Sequence, residues 1–471
     1  MKFTAMIKTK YNSEKILFGE WAIISAVAAL MFFAFYYVDL ESLTIWTTYF
    51  LDSIFDGHIM DVYQYGYENI YHSSHEYIGT NIFVFIPWAV WNIPIWIMQR
   101  FFNIQIVEHS TMLLWSKMFL VLMLVLSVYF AFKIVEITSL NRNEAWWVAI
   151  LSLSYPYTYL GVFYAGQSDV ICVCLFTAAV YLLLKGKNGW FYFLSSCAIA
   201  TKPFYLLSYI AIILLLEKNI VKIVLKLVAG CGITLFLSVL YNGAPMYKES
   251  MENGPMNQIL ENILGGGYSS FATTASYLIF ALVLIYFLAY LTKVTREDRS
   301  SYIIYFIVIP LLVHFMFAGF EHYRMILLSP FLFIMFMQKK EYFRINMIVN
   351  LVISFCAMLC IINFSKYILS TEFMDGTFIT NFFGRTSADA RRWYNLQSLF
   401  REGIENFKVL AKGMAGAYGG GAFILILINH PRFKRKFAVE TEQCERWVLW
   451  GNMFLIIPFV MLAFLCYYNL K

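Results

Sequence analysis

A membrane-embedded bundle built entirely from α-helices, an all-α polytopic protein with about thirteen crossings, is what these 471 residues lead one to expect. Composition is the first reason: 61% of the residues are hydrophobic, 19% aromatic and only 14% charged, with a mean hydropathy of +0.65. Soluble domains keep about a quarter of their residues charged, so the main solvent here is lipid. The second reason is that apolar stretches of bilayer-crossing length recur along the whole chain. The third is that the short loops between them alternate between basic and non-basic, as the positive-inside rule requires.

The first span, 17–38, follows Lys2, Lys8, Lys10 and Lys15 and has no small-residue cleavage site, so it reads as a retained anchor. The stretch 81–101 is apolar enough to cross, but Pro87, Asn92 and Pro94 interrupt it, and proline removes a backbone donor. It is expected to be interfacial or re-entrant. Further spans follow near 112–132, 145–163, 170–184, 188–201, 203–216, 219–241, 270–292, 302–318, 324–337, 345–365, 414–429 and 447–468.

With 81–101 kept out of the bilayer, 22 of the 35 basic residues fall in short loops on the side of the N-terminus. That side is therefore cytoplasmic. Letting 81–101 cross would move most of them outside. The larger loops, 39–111, 242–269 and 366–413, then face outward and carry turn signals such as Asp56-Gly57, Asn242-Gly243 and Gly265-Gly266-Gly267. No repeat, tail or soluble segment divides the chain, so 1–471 is one membrane domain.

The net charge of +6 and pI near 8.7 come from those flanking loops and suit anionic headgroups, with no reason to invoke nucleic acid. Seven of the eight cysteines sit in apolar spans and Cys444 in a cytoplasmic loop, with no CxxC spacing, so neither a disulfide framework nor a zinc site is implied. Nucleotide-driven chemistry and serine or zinc hydrolysis lack their motifs: no GxGxxG, P-loop, GxSxG or HExxH occurs. No cofactor is expected, although a divalent metal stays open.

The residues able to do chemistry gather on the outer side. Asp39 and Glu41 stand just beyond the first span, followed by Asp52, Asp56 and Asp61. A partly desolvated carboxylate gains proton affinity and suits a general base, though acids at an outer helix end are also ordinary. Gln167 and Asp169, in Gly166-Gln167-Ser168-Asp169, either face a cavity or, through Ser168 or Asp169, cap the next helix. Lys202 precedes Pro203 inside an apolar stretch on the side where lysines are rare, with no partner evident nearby in the sequence. It is a candidate phosphate ligand. The turn Glu321-His322-Tyr323-Arg324 sets a carboxylate, an imidazole and a guanidinium together, either to grip a phosphate or to pin a hairpin by an Arg–Glu pair. Arg385, Arg391, Arg392 and Arg401 form a further outer basic group, and His72, His75 and Glu76 lack a third metal ligand.

These short elements, spread over 39–324, together resemble the GT-C superfamily of integral membrane glycosyltransferases, in particular the bacterial polyprenyl-phosphate-sugar-dependent hexosyl- and mannosyltransferases. The resemblance rests on the acid outside the first span, the long outer loop with interfacial helices, the Gly-Gln-x-Asp turn, the Lys202-Pro203 step and the late turn with acid and base. It implies a GT-C-like bundle, a polyprenyl-phosphate-linked sugar donor and a glycan or lipid acceptor. It also implies an inverting transfer in which Asp39, with Asp52 as runner-up and Glu41 beside it, deprotonates the acceptor. Lys202, Arg324 and His322 would hold the donor phosphate, and Gln167, Asp169 and Glu321 the sugar. A transporter or flippase is the rival class, and a polymerase or ligase of lipid-linked glycans would share this architecture.

Cysteines placed at positions 168 and 186 are expected to react with an impermeant maleimide from opposite sides of the membrane. Reaction of both from the cytoplasm would overturn the sidedness.

Overall fold

The computed structural model describes residues 15–70, 81–104, 110–138, 141–244, 246–248, 267–270, 273–318, 322–364, 371–373, 407–433 and 446–468. Helices dominate it. In chain order they are α1 (Phe18–Ala34), α2 (Val38–Phe55), α3 (Val62–Ile70), α4 (Phe85–Phe102), α5 (Ser110–Ile137), α6 (Arg142–Ser154), α8 after a π-helical segment that serves as α7 (Tyr159–Tyr164), with α8 at Asp169–Leu184, and α9 (Asn188–Thr201). The second half holds α10 (Phe204–Leu216), α11 (Ile220–Tyr241), α12 (Tyr277–Leu291), α13 (Arg299–Phe317), α14 (Phe331–Gln338), α15 (Phe343–Phe364), α16 (Phe407–Ile428) and α17 (Arg446–Tyr468). Two short antiparallel pairings complete the chain. Phe35–Tyr37 pairs with Thr371–Phe373, setting Tyr36 opposite Glu372, and Gly267–Ser270 pairs with Thr273–Ser276.

Among the described residues, six helical segments are long and apolar enough to cross a membrane: Ile82–Phe102, Met112–Ile137, Ile220–Tyr241, Arg299–Phe317, Lys340–Cys360 and Val409–Ile428. This is the make-up of a membrane protein, with fewer full-length crossings than the thirteen expected. The shortfall has local causes. Five further apolar helices among the described residues, such as Asp169–Leu184, run to 17 residues or fewer. The expected span 145–163 is split at Tyr155, which is extended (φ −63°, ψ 129°). In place of 324–337 there is a 3-10 segment, His322–Leu328, followed by the short α14, and residues 325–337 are buried.

The stretch 81–101 also departs from expectation, because Pro87 and Pro94 do not break it. Pro87 falls in the first turn of α4, where its missing donor costs nothing, and the helix runs on through Pro94 to Phe102. Asn92 is buried and donates to the Thr47 Oγ1 at 2.8 Å and the Ser116 Oγ at 3.2 Å. Helices α2 and α4 run parallel, since Thr47 meets Asn92 while Asp52 meets Trp96 and Arg100. Helix α4 meets α5 near the latter's start: Trp91 stacks on Trp115 at 4.9 Å and the Trp88 indole donates to Ser116.

The end of the bundle that carries the basic loops is stitched by ion pairs. Arg446 pairs with the buried Glu20 at 3.3 Å, joining the first helix to the last. Lys340 pairs with Glu144, itself half of a capping box with Asn141 that starts α6, and Lys226 reaches Glu217 at 2.8 Å. Glu217 also accepts the backbone N–H groups of Lys218 and Asn219; with Lys226 as the largest cause, these hold its carboxyl down at about 2.

Lys117 is a polar group inside a long apolar helix, and it is fully buried. Its ammonium donates to the carbonyls of Phe163 at 2.5 Å, Phe32 at 3.0 Å and Met31 at 3.4 Å. Those carbonyls belong to the last turns of α1 and α7, where helices leave acceptors unsatisfied and the helix dipole is negative. Lys117 therefore caps two helix ends at once. Lys117→Met is expected to destabilise the fold by ~2–3 kcal/mol, since hydrogen bonds to a charged group are among the stronger ones. Equilibrium unfolding in mixed micelles measures this, and an unchanged midpoint would refute the capping role.

Candidate functional site

The site begins where α7 ends. The Ala165 and Gln167 N–H groups donate back to the carbonyls of Leu160 and Gly161 at 2.9 and 2.8 Å, which closes a tight turn before α8. Gly166 takes φ +69°, a conformation that residues with a Cβ avoid, and a Cβ there would stand 3.2 Å from the Leu40 side chain. The glycine thus lets the first turn of α2 press onto the Gly166–Asp169 turn. Val38 opens α2, so Asp39 and Glu41 share that turn with Leu40. Sequence elements about 125 positions apart are thereby brought side by side.

Asp169 opens α8 with its carboxylate at the positive end of the helix dipole. It does not cap the helix, and Ser168 makes no side-chain cap either. Instead the Lys202 ammonium donates to the Asp169 Oδ2 at 2.7 Å. The lysine expected to stand alone is paired, and the pair is largely enclosed, with side-chain exposures of 18% for Lys202 and 1% for Asp169. Pro203 makes this reach possible: α9 stops at Thr201, Lys202 is extended (φ −152°), and α10 starts afresh at Phe204. The Asp169 Oδ1 is buried and has no hydrogen-bond partner. Gln167 is buried beside it.

Two residues beyond Lys202, the ring of Phe204 carries the Arg324 guanidinium at 5.5 Å from its centroid. The imidazole of His314, in the last turn of α13, lies 5.5 Å from the same ring. One residue on, the Tyr205 hydroxyl donates to the Leu327 carbonyl at 2.8 Å, fastening the 3-10 segment to α10. His314 is buried and its Nδ1 makes no hydrogen bond. Glu41, Gln167, Asp169, Lys202, His314 and Arg324 thus come from separate segments to one end of the bundle. The side chains of Asp39 and His322, and Glu321 altogether, lie outside the described residues, as do His72, His75, Glu76, Arg385, Arg391, Arg392 and Arg401.

Asp52 does not join this group. It lies 13 residues along α2 from Asp39, ~20 Å at helical rise. There it accepts from the Trp96 indole at 2.8 Å and from Arg100 at 3.1 Å. Arg100 also forks onto Asp56 at 2.8 and 3.1 Å, and Tyr65 donates to Asp56 at 3.0 Å. The guanidinium, the largest cause, holds the Asp56 carboxyl below its usual range. These acids fasten α2 to α4. Along α2 between the two clusters lies a small aromatic cleft, lined by Trp46, Tyr49, Phe50, Val62, Gly66, Ile82 and Phe85.

Sequence reading missed His314, which was absorbed into an apolar span, and Phe204. An ionisable group inside a span is a functional signal in itself, and that signal was present at His314. Among the described residues no three His, Cys, Asp or Glu side chains are grouped to hold a metal ion.

Removing either member of the buried pair strands the other. Asp169→Ala and Lys202→Ala are each expected to cost ~3–5 kcal/mol. The double variant should cost less than their sum by ~1–3 kcal/mol, read from a double-mutant cycle of unfolding. Simple additivity would mean that the two groups do not interact. Compared with known proteins, the chain matches no family model, no curated protein and no solved structure.

Proposed function

We propose that the chain is an inverting glycosyltransferase of GT-C type, moving a hexose from a polyprenyl-phosphate donor to a glycan, lipid or cell-envelope acceptor. In this reading the N-terminus is cytoplasmic and the site faces outward. The observation that carries it is the meeting of the α2 start, the Gly166–Asp169 turn, Lys202 and Arg324 at one end of the bundle. That end lies opposite the one where Glu20, Glu144 and Glu217 pair with Arg446, Lys340 and Lys226. The position of α4 also supports it, since its contacts with Trp115 and Ser116 near the start of α5 suit an interfacial placement across the outer ends.

The chemistry would run as an in-line displacement. Asp39 takes the proton of the acceptor hydroxyl; the acceptor oxygen bonds the anomeric carbon from one face as the bond to the phosphate oxygen breaks on the other. The electron pair leaves with polyprenyl phosphate, and Lys202 and Arg324 offset the charge that develops there. Gln167 and Asp169, whose Oδ1 is unengaged, orient sugar hydroxyls. Asp52 is tied through its Oδ1 to Trp96 and Arg100 and stands ~20 Å along α2 from Asp39, so the task falls to Asp39 with Glu41 beside it.

Purified protein given defined polyprenyl-phosphate hexoses should release polyprenyl phosphate and glycosylated acceptor. Asp39→Asn is expected to lower the rate by ~10²–10⁴-fold with the fold intact, and Arg324→Gln to lower kcat/KM by ~10²-fold. Asp52→Asn should retain turnover. Full activity in Asp39→Asn would move the base elsewhere. Scrambling of labelled lipid across liposomes without any transfer would favour the flippase reading.

A further inference from the structure

The break in the helix at Tyr155 stands apart from the site above and has chemistry of its own. Tyr155 is fully buried and lies 13 residues from the start of α6, ~20 Å along its axis, a depth that a ~30 Å hydrocarbon core would enclose. There the helix stops, Tyr155 is extended, a single helical turn (Pro156–Thr158) follows, and the chain continues as α7. Irregular backbone is tolerated at such depth only where protein or water bonds its polar groups. Two of the carbonyls freed by the break are met locally, Leu151 by the Ser154 hydroxyl at 3.3 Å and Ser152 by the Thr158 hydroxyl at 2.8 Å.

Helix α15 presents Asn346, Asn350 and Ser354 on one stripe, four residues apart. Asn346 is satisfied by a reciprocal amide pair with Asn429, at 2.9 and 2.7 Å. The next two are not. Asn350 is fully buried with neither its Oδ1 nor its Nδ2 bonded, and the Ser354 hydroxyl is likewise unbonded. The stripe faces the break, because the Tyr157 hydroxyl donates to the Ser354 carbonyl at 2.8 Å. The Tyr155 hydroxyl approaches the side chain of Ser354, but the two do not meet the geometry of a hydrogen bond. From α17, which packs on α15 where Gly451 meets Leu351, Asn452 donates to the Ser154 hydroxyl at 3.3 Å and leaves its Oδ1 unused.

A single orphaned polar atom in a membrane interior is an anomaly. Complementary donors and acceptors from three helices, gathered around one helix break, make a site. None of these side chains carries a charge, so the group they accept is neutral and able both to donate and to accept. We propose that the Tyr155 break holds ordered water, bridging Tyr155, Asn350, Ser354 and Asn452. Water fits because it needs two to four polar partners and little space. The assignment does not depend on the transferase reading.

Hydroxyl-radical footprinting of the full chain in lipid nanodiscs tests it, with radicals generated by X-rays in ¹⁸O-labelled water. Tyr155 should be modified although buried, whereas Tyr209, equally buried with its hydroxyl bonded to the Lys226 carbonyl, should not. Asn350→Leu and Ser354→Ala should each abolish modification at Tyr155. An unmodified Tyr155 in the unaltered chain, or modification that persists in both variants, overturns the proposal.

Discussion

Inside a bilayer every helix that stops must have its last carbonyls bonded by something other than bulk water, and this requirement organises the molecule. Lys117 answers it for α1 and α7 together. Elsewhere tyrosine and serine hydroxyls span from one helix to the backbone of another: Tyr159 to Ile24, Tyr205 to Leu327, Ser208 to Ile307, Tyr286 to Leu207. Of these carbonyls Leu327 stands at the end of its segment, while the others lie within helices and gain a second bond that ties neighbours together. The irregular segments at Gly166, at Lys202-Pro203 and at 322–328 are the ones that carry polar side chains into the candidate site.

Asp52 and Asp56 on one side, and Asp169 on the other, illustrate how environment divides labour among like residues. Asp52 and Asp56 are committed to Arg100, Trp96 and Tyr65 and act as fasteners. Asp169 is committed by one oxygen only, to Lys202. What separates them is place: the open oxygen of Asp169 lies in the enclosed end beside Lys202 and Gln167, whereas Asp52 and Asp56 sit at the far end of α2 and fix Arg100 there.

Much of this was legible in the sequence. Helical class, membrane solvent and the grouping of Gln167, Asp169, Lys202 and Arg324 follow from composition, basic-loop bias and local turn signals. What was not legible depends on long-range packing. The partner of Lys202 is 33 residues away, and no local pattern announces it. Prolines misled in both directions: Pro94 sits inside an unbroken helix, while the split at Tyr155 comes at an unremarkable position just before Pro156. His314 was hidden because a single imidazole scarcely lowers the hydropathy of its window.

The pairing of Phe35–Tyr37 with Thr371–Phe373, together with the Glu20–Arg446 contact, has a consequence for biogenesis. The strand that follows the first helix finds its partner only after more than 300 further residues have left the ribosome. A nascent chain therefore cannot assemble this end of the bundle early. The first helix is thus tied down at both of its ends only once nearly the whole chain has been made.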